Sequence, residues 1–304
     1  MYDAKVTSAE PGLVIILLDQ STSMDTTLVE TKEGEKFSIS KMAKYVVDEF
    51  LYEAFNKCIR EDELKPYLDI AVIGYALGLR SALPKIPLEQ YPFSVTKLAD
   101  TYIAKNDSNP DVDPVIPLPK LEWLEERADS LETPMLAAFT KAREIVEKWL
   151  PDHQTSFPPV VINLSDGAPN DDSIFVQMCE EAAEQGKTRL PSDLSQTGLV
   201  IQSKAIQDMG TENGKCLVLN AHVSARGHKE ILYPSTIDEA ENIDPLTRLM
   251  FEMSSVIPDS LREYANLKSV IDLEPGARFY TLNADFDSDF YFKTGGSEAR
   301  FDPK

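Results

Sequence analysis

The run Leu13-Val-Ile-Ile-Leu-Leu18 follows Gly12 and empties directly into Asp19-Gln-Ser-Thr-Ser23, and no other feature constrains this chain as strongly. Continuous aliphatic residues rich in β-branched side chains read as a strand buried on both faces, because a strand with one wet face would alternate apolar with polar residues. A strand of that kind belongs to a parallel sheet covered by helices. Its polar exit lies at the carboxyl end, where open α/β sheets bind their ligands.

The rest of the chain extends the same pattern. Residues Ile39 to Arg60 carry apolar side chains at Met42, Val46, Phe50 and Ala54, a helical period, and Tyr67 to Ala76 reads as a second apolar strand. The order strand, loop, helix, strand predicts a right-handed crossover. Thr133-Pro134 reads as an N-cap followed by proline at the first helical position. It opens a helix to about Leu150, with Leu136, Phe139, Ala142, Ile145 and Trp149 spaced for burial. Val160 to Leu164 is the next strand and Ser165-Asp-Gly167 its terminal turn. A helix over about Ser173 to Glu184 precedes a polar stretch. Leu217 to Val223 and Phe279 to Leu282 read as strands, and Pro245 to Ser254 and Pro258 to Asn266 as helices. Seven prolines recur between Leu83 and Lys120, so that segment reads as irregular covering structure. The fold class expected is α/β, a doubly wound, mostly parallel central sheet with helices on both faces.

Composition narrows the company such a fold keeps. Fifty-one acidic against 30 basic residues give a formal charge of -21, which repels a phosphate backbone and favours cations and basic surfaces. The longest apolar run is far too short to span a bilayer, and the first residues carry no apolar signal segment, so a soluble, cytoplasmic protein without nucleic-acid or membrane partners is expected. Cys58, Cys179 and Cys216 form no CxxC pair and have no histidine at zinc spacing. They read as buried apolar residues.

The chemistry concentrates at the strand exits. Asp19-x-Ser21-x-Ser23 puts one carboxylate and two hydroxyls in a tight loop, and Asp166 ends another strand at the same sheet edge. Mg2+ favours six oxygens in octahedral geometry and sheds its waters reluctantly. Hydroxyls of Ser21, Ser23 and Thr133 suit direct ligation, while Asp19 and Asp166 suit holding the bound waters. Neutral ligands leave the cation most of its charge and one open position for a carboxylate from another molecule. Mn2+ or Ca2+ could occupy the same oxygens. Each residue also has a plainer reading: Asp19, Ser21 and Ser23 as turn and cap residues, Thr133 as an N-cap alone, and Asp166-Gly167 as a turn dipeptide.

Asp19-Gln-Ser-Thr-Ser23, Thr133 and Ser165-Asp-Gly167 resemble, in order, the three motifs of the metal-ion-dependent adhesion site (MIDAS) of the von Willebrand factor A (VWA) family. A longer likeness runs through Thr133-Pro-Met135, Trp149 to His153, Ser156 to Gly167, Leu219 to Ser224, Leu249 to Ser255 and Leu282 to Asp285. On these stretches the chain is similar to the bacterial cytoplasmic VWA proteins of the tellurium-resistance type. The resemblance implies a single VWA domain over 1–304, with a Pro-rich insertion at about 83–120 and a C-terminal extension from about 225. It further implies a metal-dependent protein-binding role beside a PP2C-like phosphatase and a protein kinase, in stress response, phosphorylation signalling or defence. One departure is Glu132, where the family usually has glycine just before the threonine.

Two other functions stay open on the sequence. Asp19 at a strand end could be the nucleophile of a metal-dependent phosphohydrolase or phosphotransferase, although Ser21 stands where such enzymes place a second aspartate. The chain could also be a metal-free scaffold. No catalysis is expected: His153, His222 and His228 have no accompanying nucleophile motif, and GxxxxGK[ST] and GxGxxG do not occur. Asp285-Phe-Asp-Ser-Asp289 alternates carboxylates but lacks the glycine and closing glutamate of a calcium loop, and reads as a solvated turn.

Overall fold

The computed structural model describes residues 2–30, 36–102, 123–127, 130–187, 190, 193–224, 230–237, 244–267 and 272–284. Eight strands form one sheet: β1 (Gly12–Asp19), β2 (Leu68–Ala76), β3 (Gly78–Ser81), β4 (Phe93–Ser94), β5 (Val160–Ser165), β6 (Leu217–His222), β7 (Ile231–Leu232) and β8 (Tyr280–Leu282). Their order is β7-β8-β6-β5-β1-β2-β3, with β4 also on β2. The five strands β8, β6, β5, β1 and β2 are mutually parallel, and the short antiparallel strands sit at the two edges. This is the doubly wound, mostly parallel α/β sheet expected from the sequence.

Besides a single helical turn at Ser23–Thr26, the helices among the described residues are α1 (Ile39–Lys57), α2 (Val95–Tyr102), α3 (Met135–Trp149), α4 (Ser173–Glu184), α5 (Gly198–Asp208), α6 (Pro245–Met253) and α7 (Asp259–Leu267). From β1 the chain crosses through α1 to β2 on one side, then returns past β1 through α3 to β5 on the other. Right-handed connections running in opposite directions place α1 and α3 on opposite faces. Burial follows: Leu13, Ile15, Ile16, Leu17 and Leu18 of β1 are all at most 4% exposed, so both faces of the strand are covered. Each such aliphatic side chain contributes roughly 1.5–3 kcal/mol. Helices α3, α5 and α6 pack in succession against one another, and Met250 and Met253 lie in the core together with Trp149, whose spacing predicted its burial.

A buried polar chain crosses the sheet interior. The Tyr75 hydroxyl donates to Asn163 Oδ1 at 2.8 Å, Asn163 Nδ2 to Asn220 Oδ1 at 3.1 Å, and Asn220 Nδ2 to Ser254 Oγ at 3.0 Å. Asn163 and Asn220 are register partners on β5 and β6, which brings their amides side by side. Burial raises the Tyr75 phenol well above its ordinary value, with the Asp19 charge adding to the effect, so it serves as a donor.

Three expectations need correction. The segment from Leu83 is not irregular throughout. No proline falls between Phe93 and Tyr102, and Val95, Leu98 and Ala99 at helical spacing bury one face of α2, after β4 has paired with β2. Residues 103–122 of that segment lie outside the described residues. The polar stretch after α4 contains helix α5. Finally, Thr133 is not the cap of α3. Pro134 holds the cap position without a side-chain bond, and Asp171 does the capping, its Oδ1 and Oδ2 accepting from Leu136 N at 3.0 Å and Ala137 N at 2.8 Å. The segment beyond 225 supplies β7, β8, α6 and α7 to the same sheet and core.

Candidate functional site

Chain order reverses between β1 and β5, so the loops leaving their carboxyl ends diverge and leave a crevice. Asp19 closes β1, and Ser165-Asp166 closes β5 beside it. Asp19 is 2% exposed. Its Oδ1 accepts from Ser21 N at 2.9 Å and its Oδ2 from Ser165 Oγ at 2.5 Å. Ser21 Oγ lies 3.0 Å from Ser23 Oγ, and Ser23 Oγ donates to Asp166 Oδ1 at 2.8 Å. One hydrogen-bonded series thus joins Asp19, Ser21, Ser23 and Asp166.

Thr133 arrives from the third loop. Ser21 and Ser130 form an isolated parallel bridge, and Thr22 N donates to Ser130 O at 2.7 Å, which docks that loop on the first. Asn170 then clamps the threonine backbone: its Oδ1 accepts from Thr133 N at 3.0 Å, while Asn170 N donates to Thr133 O at 3.3 Å. Glu132 in place of glycine does not carry Thr133 away. A Cβ built on Gly167 would stand 3.3 Å from Ser23 Oγ, 3.5 Å from Asp19 Oδ2 and 3.5 Å from Thr133 Oγ1. Three oxygens, two from the Asp19–Ser23 loop and one from the Thr133 loop, surround one spot beside the Gly167 loop, and it is open because residue 167 has no side chain.

Both carboxylates beside that spot are held out of solvent. The Asp19 carboxyl is pushed up to about 6, chiefly by burial with the nearby Asp166 charge adding to it, against the bonds from Ser165 and Ser21, which act the other way. Burial also raises Asp166, opposed by the hydroxyls of Ser23 and Thr27. Among the described residues no basic side chain figures in either shift, so both carboxylates are desolvated without a counter-charge. A divalent ion would supply it. No cluster of three acidic, histidine or cysteine donors occurs among the described residues. The donor set is hydroxyl-rich instead, and it fits a hard, oxygen-seeking ion such as Mg2+.

An open groove of about 340 Å3 begins at Ser23, Thr27 and Asp166 and runs past Phe175 and Leu246 to His222 and Asp244. His222 lies in it, buried, with Nδ1 3.2 Å from the Tyr280 hydroxyl. His153 is elsewhere, stacked on Trp149 at 4.0 Å. The three cysteines are free thiols, Cys58 and Cys216 buried and Cys179 in the groove wall. His228 and Asp285 to Asp289 lie outside the described residues.

Sequence reading missed the supports. Ser165, Asn170, Asp171 and Asp172 fix the three loops, and Asp172 both caps α4 through Phe175 N at 3.2 Å and accepts from Leu199 N of α5 at 2.8 Å. The signal was the run Asn170-Asp-Asp172 just ahead of a helix, a concentration of cap-forming residues.

No protein-family model matches the chain, and neither does any curated protein. Among solved structures it is similar to proximal thread matrix protein 1 of the mussel byssus. That alignment covers 96% of this chain and 48% of the other, at 11% identity and a TM-score of 0.42. The vWF domain of the type V pili tip protein Mfa5 from Porphyromonas gingivalis aligns over 81% and 86%, at 10% identity and a TM-score of 0.41. The ArnB paralog VWA2 from Sulfolobus acidocaldarius aligns over 73% and 36%, at 14% identity and a TM-score of 0.32. This chain spans about half the length of the mussel protein. Its own strand order, not these alignments, carries the statement of fold. Among the described residues no helix is long and apolar enough to cross a membrane.

Proposed function

We propose that this chain is a VWA-type binding module that holds one divalent cation, Mg2+ foremost, and engages a protein partner through it without catalysis of its own. The supporting observation is the spot above Gly167, where oxygens of Asp19, Ser23 and Thr133 converge at the reversal point of the sheet. In this reading the hydroxyls of Ser21, Ser23 and Thr133 ligate the ion, and Asp19 and Asp166 hold its waters. When bound, the cation supplies an electrophilic position for a carboxylate from the partner. The chain's part is to orient the ligands, with Ser165 and Asn170 fixing Asp19 and Thr133 from behind.

The open groove takes the partner segment that flanks the acidic side chain. Because the chain carries a formal charge of -21, that segment should also bear Lys or Arg, which offset long-range repulsion. The reading extends to the setting that the motif resemblance implies, a bacterial intracellular stress-response, phosphorylation-signalling or defence system with a PP2C-like phosphatase and a protein kinase as candidate partners. The test is a pull-down from the native host with Mg2+ and with EDTA, repeated with Asp19→Ala. Partners lost in EDTA and lost with Asp19→Ala support the proposal. Partners retained equally in all arms overturn it, and phosphatase or ATPase turnover abolished by Asp19→Ala replaces it with the phosphohydrolase reading.

A further inference from the structure

The loop that brings Thr133 to the cation spot carries an acidic and an apolar side chain at its tip. Thr133 is buried, but Glu132 before it is exposed, and Leu131 is 88% exposed. Ser130 holds the tip in place: its backbone bridges Ser21, its carbonyl accepts from Thr22 N at 2.7 Å, and its Oγ accepts from Glu132 N at 3.0 Å. The Glu132 carboxylate makes no ion pair among the described residues and stands in solvent one residue from a ligand of the spot. Leu28 and Ile174 are exposed too. Leu28 follows Thr27, whose hydroxyl bonds to Asp166, and Ile174 lies in the first turn of α4, just past the β5 exit. Single exposed aliphatic residues need no explanation, but three on the loops that frame one polar spot mark an interaction face.

The contents of that face narrow what covers it. A spot with room for an outside carboxylate and an exposed carboxylate beside an exposed leucine stand next to each other, so the face holds both halves of one contact. A surface of that kind is self-complementary, which is what a twofold interface requires. We propose that two copies of this chain close on each other through this face, the Glu132 carboxylate of each copy filling the open position on the other's cation and the two Leu131 side chains packing near the twofold axis. The proposal rests on the cation reading above and adds regulation to it: each copy caps the other until the carboxylate of a partner displaces Glu132. The formal charge of -21 on each copy opposes association. At physiological ionic strength, however, charges more than about 8 Å apart are largely screened, while the two divalent cations act inside the contact.

The experiment is sedimentation velocity on the full chain over a range of concentrations, in MgCl2 and in EDTA, with calorimetric Mg2+ titration of each variant alongside. Wild type is expected to be a dimer in Mg2+ and a monomer in EDTA. Glu132→Gln, an exposed and nearly isosteric change, should still bind one Mg2+ per chain yet dissociate. The substitution removes two reciprocal contacts, so at about tenfold apiece the dimer weakens about a hundredfold. Mixing Glu132→Gln with Asp19→Ala should give a mixed dimer, because Glu132 of the second variant fills the cation of the first. Wild type that binds no Mg2+ overturns the cation reading and this proposal with it. Wild type that binds Mg2+ and stays monomeric overturns the dimer alone and leaves the carboxylate to a different protein. A dimer that survives EDTA or Glu132→Gln, or open-ended oligomers in place of a dimer, would show that copies meet elsewhere and overturn the proposal as well.

Discussion

Gly167→Ala separates the cation spot from the fold around it. The added methyl would meet Ser23 Oγ at 3.3 Å and Asp19 Oδ2 and Thr133 Oγ1 at 3.5 Å, at or slightly inside ordinary contact. Gly167 is not among the glycines with positive φ, so alanine suits its backbone. The metal-free variant should therefore keep its stability or gain about 0.4–1 kcal/mol, because alanine restricts the unfolded chain. A Mg2+ ion bound to the Ser23 and Thr133 hydroxyls would lie about 2.0–2.1 Å from each oxygen, and on the Gly167 side of them it would meet the methyl. For an ion seated there the expected loss of Mg2+ affinity is about a hundredfold, or about 2.7 kcal/mol. Calorimetric titration with MgCl2 measures the affinity directly, and thermal melts report it through linkage. Wild-type Tm should rise with Mg2+, whereas the variant should start as high or higher and stay there. A variant that binds Mg2+ as tightly as wild type would show that no cation sits on the Gly167 side of these three oxygens.

Asp19 predicts a pH dependence. Burial holds its carboxyl at about 6 against an ordinary 3.8, so between those values the folded chain keeps a proton that the unfolded chain has lost. Metal-free stability is then lost as pH rises through that window, by roughly 3 kcal/mol at 1.36 kcal/mol per pH unit. Urea melts in EDTA from pH 4 to 7 should show the slope in wild type and a flatter one in Asp19→Asn, and equal slopes would contradict the assignment. Asp171→Ala removes the acceptor of two N–H groups opening α3 and should cost about 1–2 kcal/mol by chemical denaturation. A change within about 0.3 kcal/mol would return the capping role to Thr133. Asn163→Leu leaves the Tyr75 hydroxyl and Asn220 Oδ1 without their partner inside the sheet, at about 2–4 kcal/mol. A neutral result there would mean that the buried polar chain is replaceable by packing.

The central strands and the Asp19–Ser23 loop were legible because their signals are local. An aliphatic run buried on both faces announces itself, and β1, β5 and β6 start or end within a residue of where the pattern puts them. Helix α5 was not legible. Its first turn depends on Asp172, 27 residues earlier, accepting from Leu199 N, and exposed Ile201 beside buried Leu199 and Val200 blurs the apolar period. Helix α2 was hidden by prolines on either side of it. Thr133 shows the opposite failure: Thr-Pro before an apolar helix is a sound local cap signal, yet Asp171 approaches from the β5 exit and takes the two N–H groups. The threonine hydroxyl is thereby released toward the cation spot. Non-local hydrogen bonding, which no window of sequence displays, decided the cases of α5 and Thr133.

The same principle sorts the aspartates after β5. Asp166, Asp171 and Asp172 lie within seven residues, but their bonding separates their roles. Asp171 and Asp172 turn their oxygens to backbone N–H groups that open α3, α4 and α5, and so meet the partial positive charge of those helix ends. Asp166 accepts from the Ser23 and Thr27 hydroxyls, Asp19 opposite accepts from the Ser165 hydroxyl and Ser21 N, and among the described residues no basic side chain figures in the shift of either. Helix ends that would otherwise repel a cation are thus answered by carboxylates of their own, and the charge left over faces the crevice. Removing a capping aspartate should therefore be felt first as lost stability, and removing Asp19 or Asp166 first as lost metal affinity. A sequence in which these residues differ only by position gives no hint of that division until the strands and helices bring their partners to them.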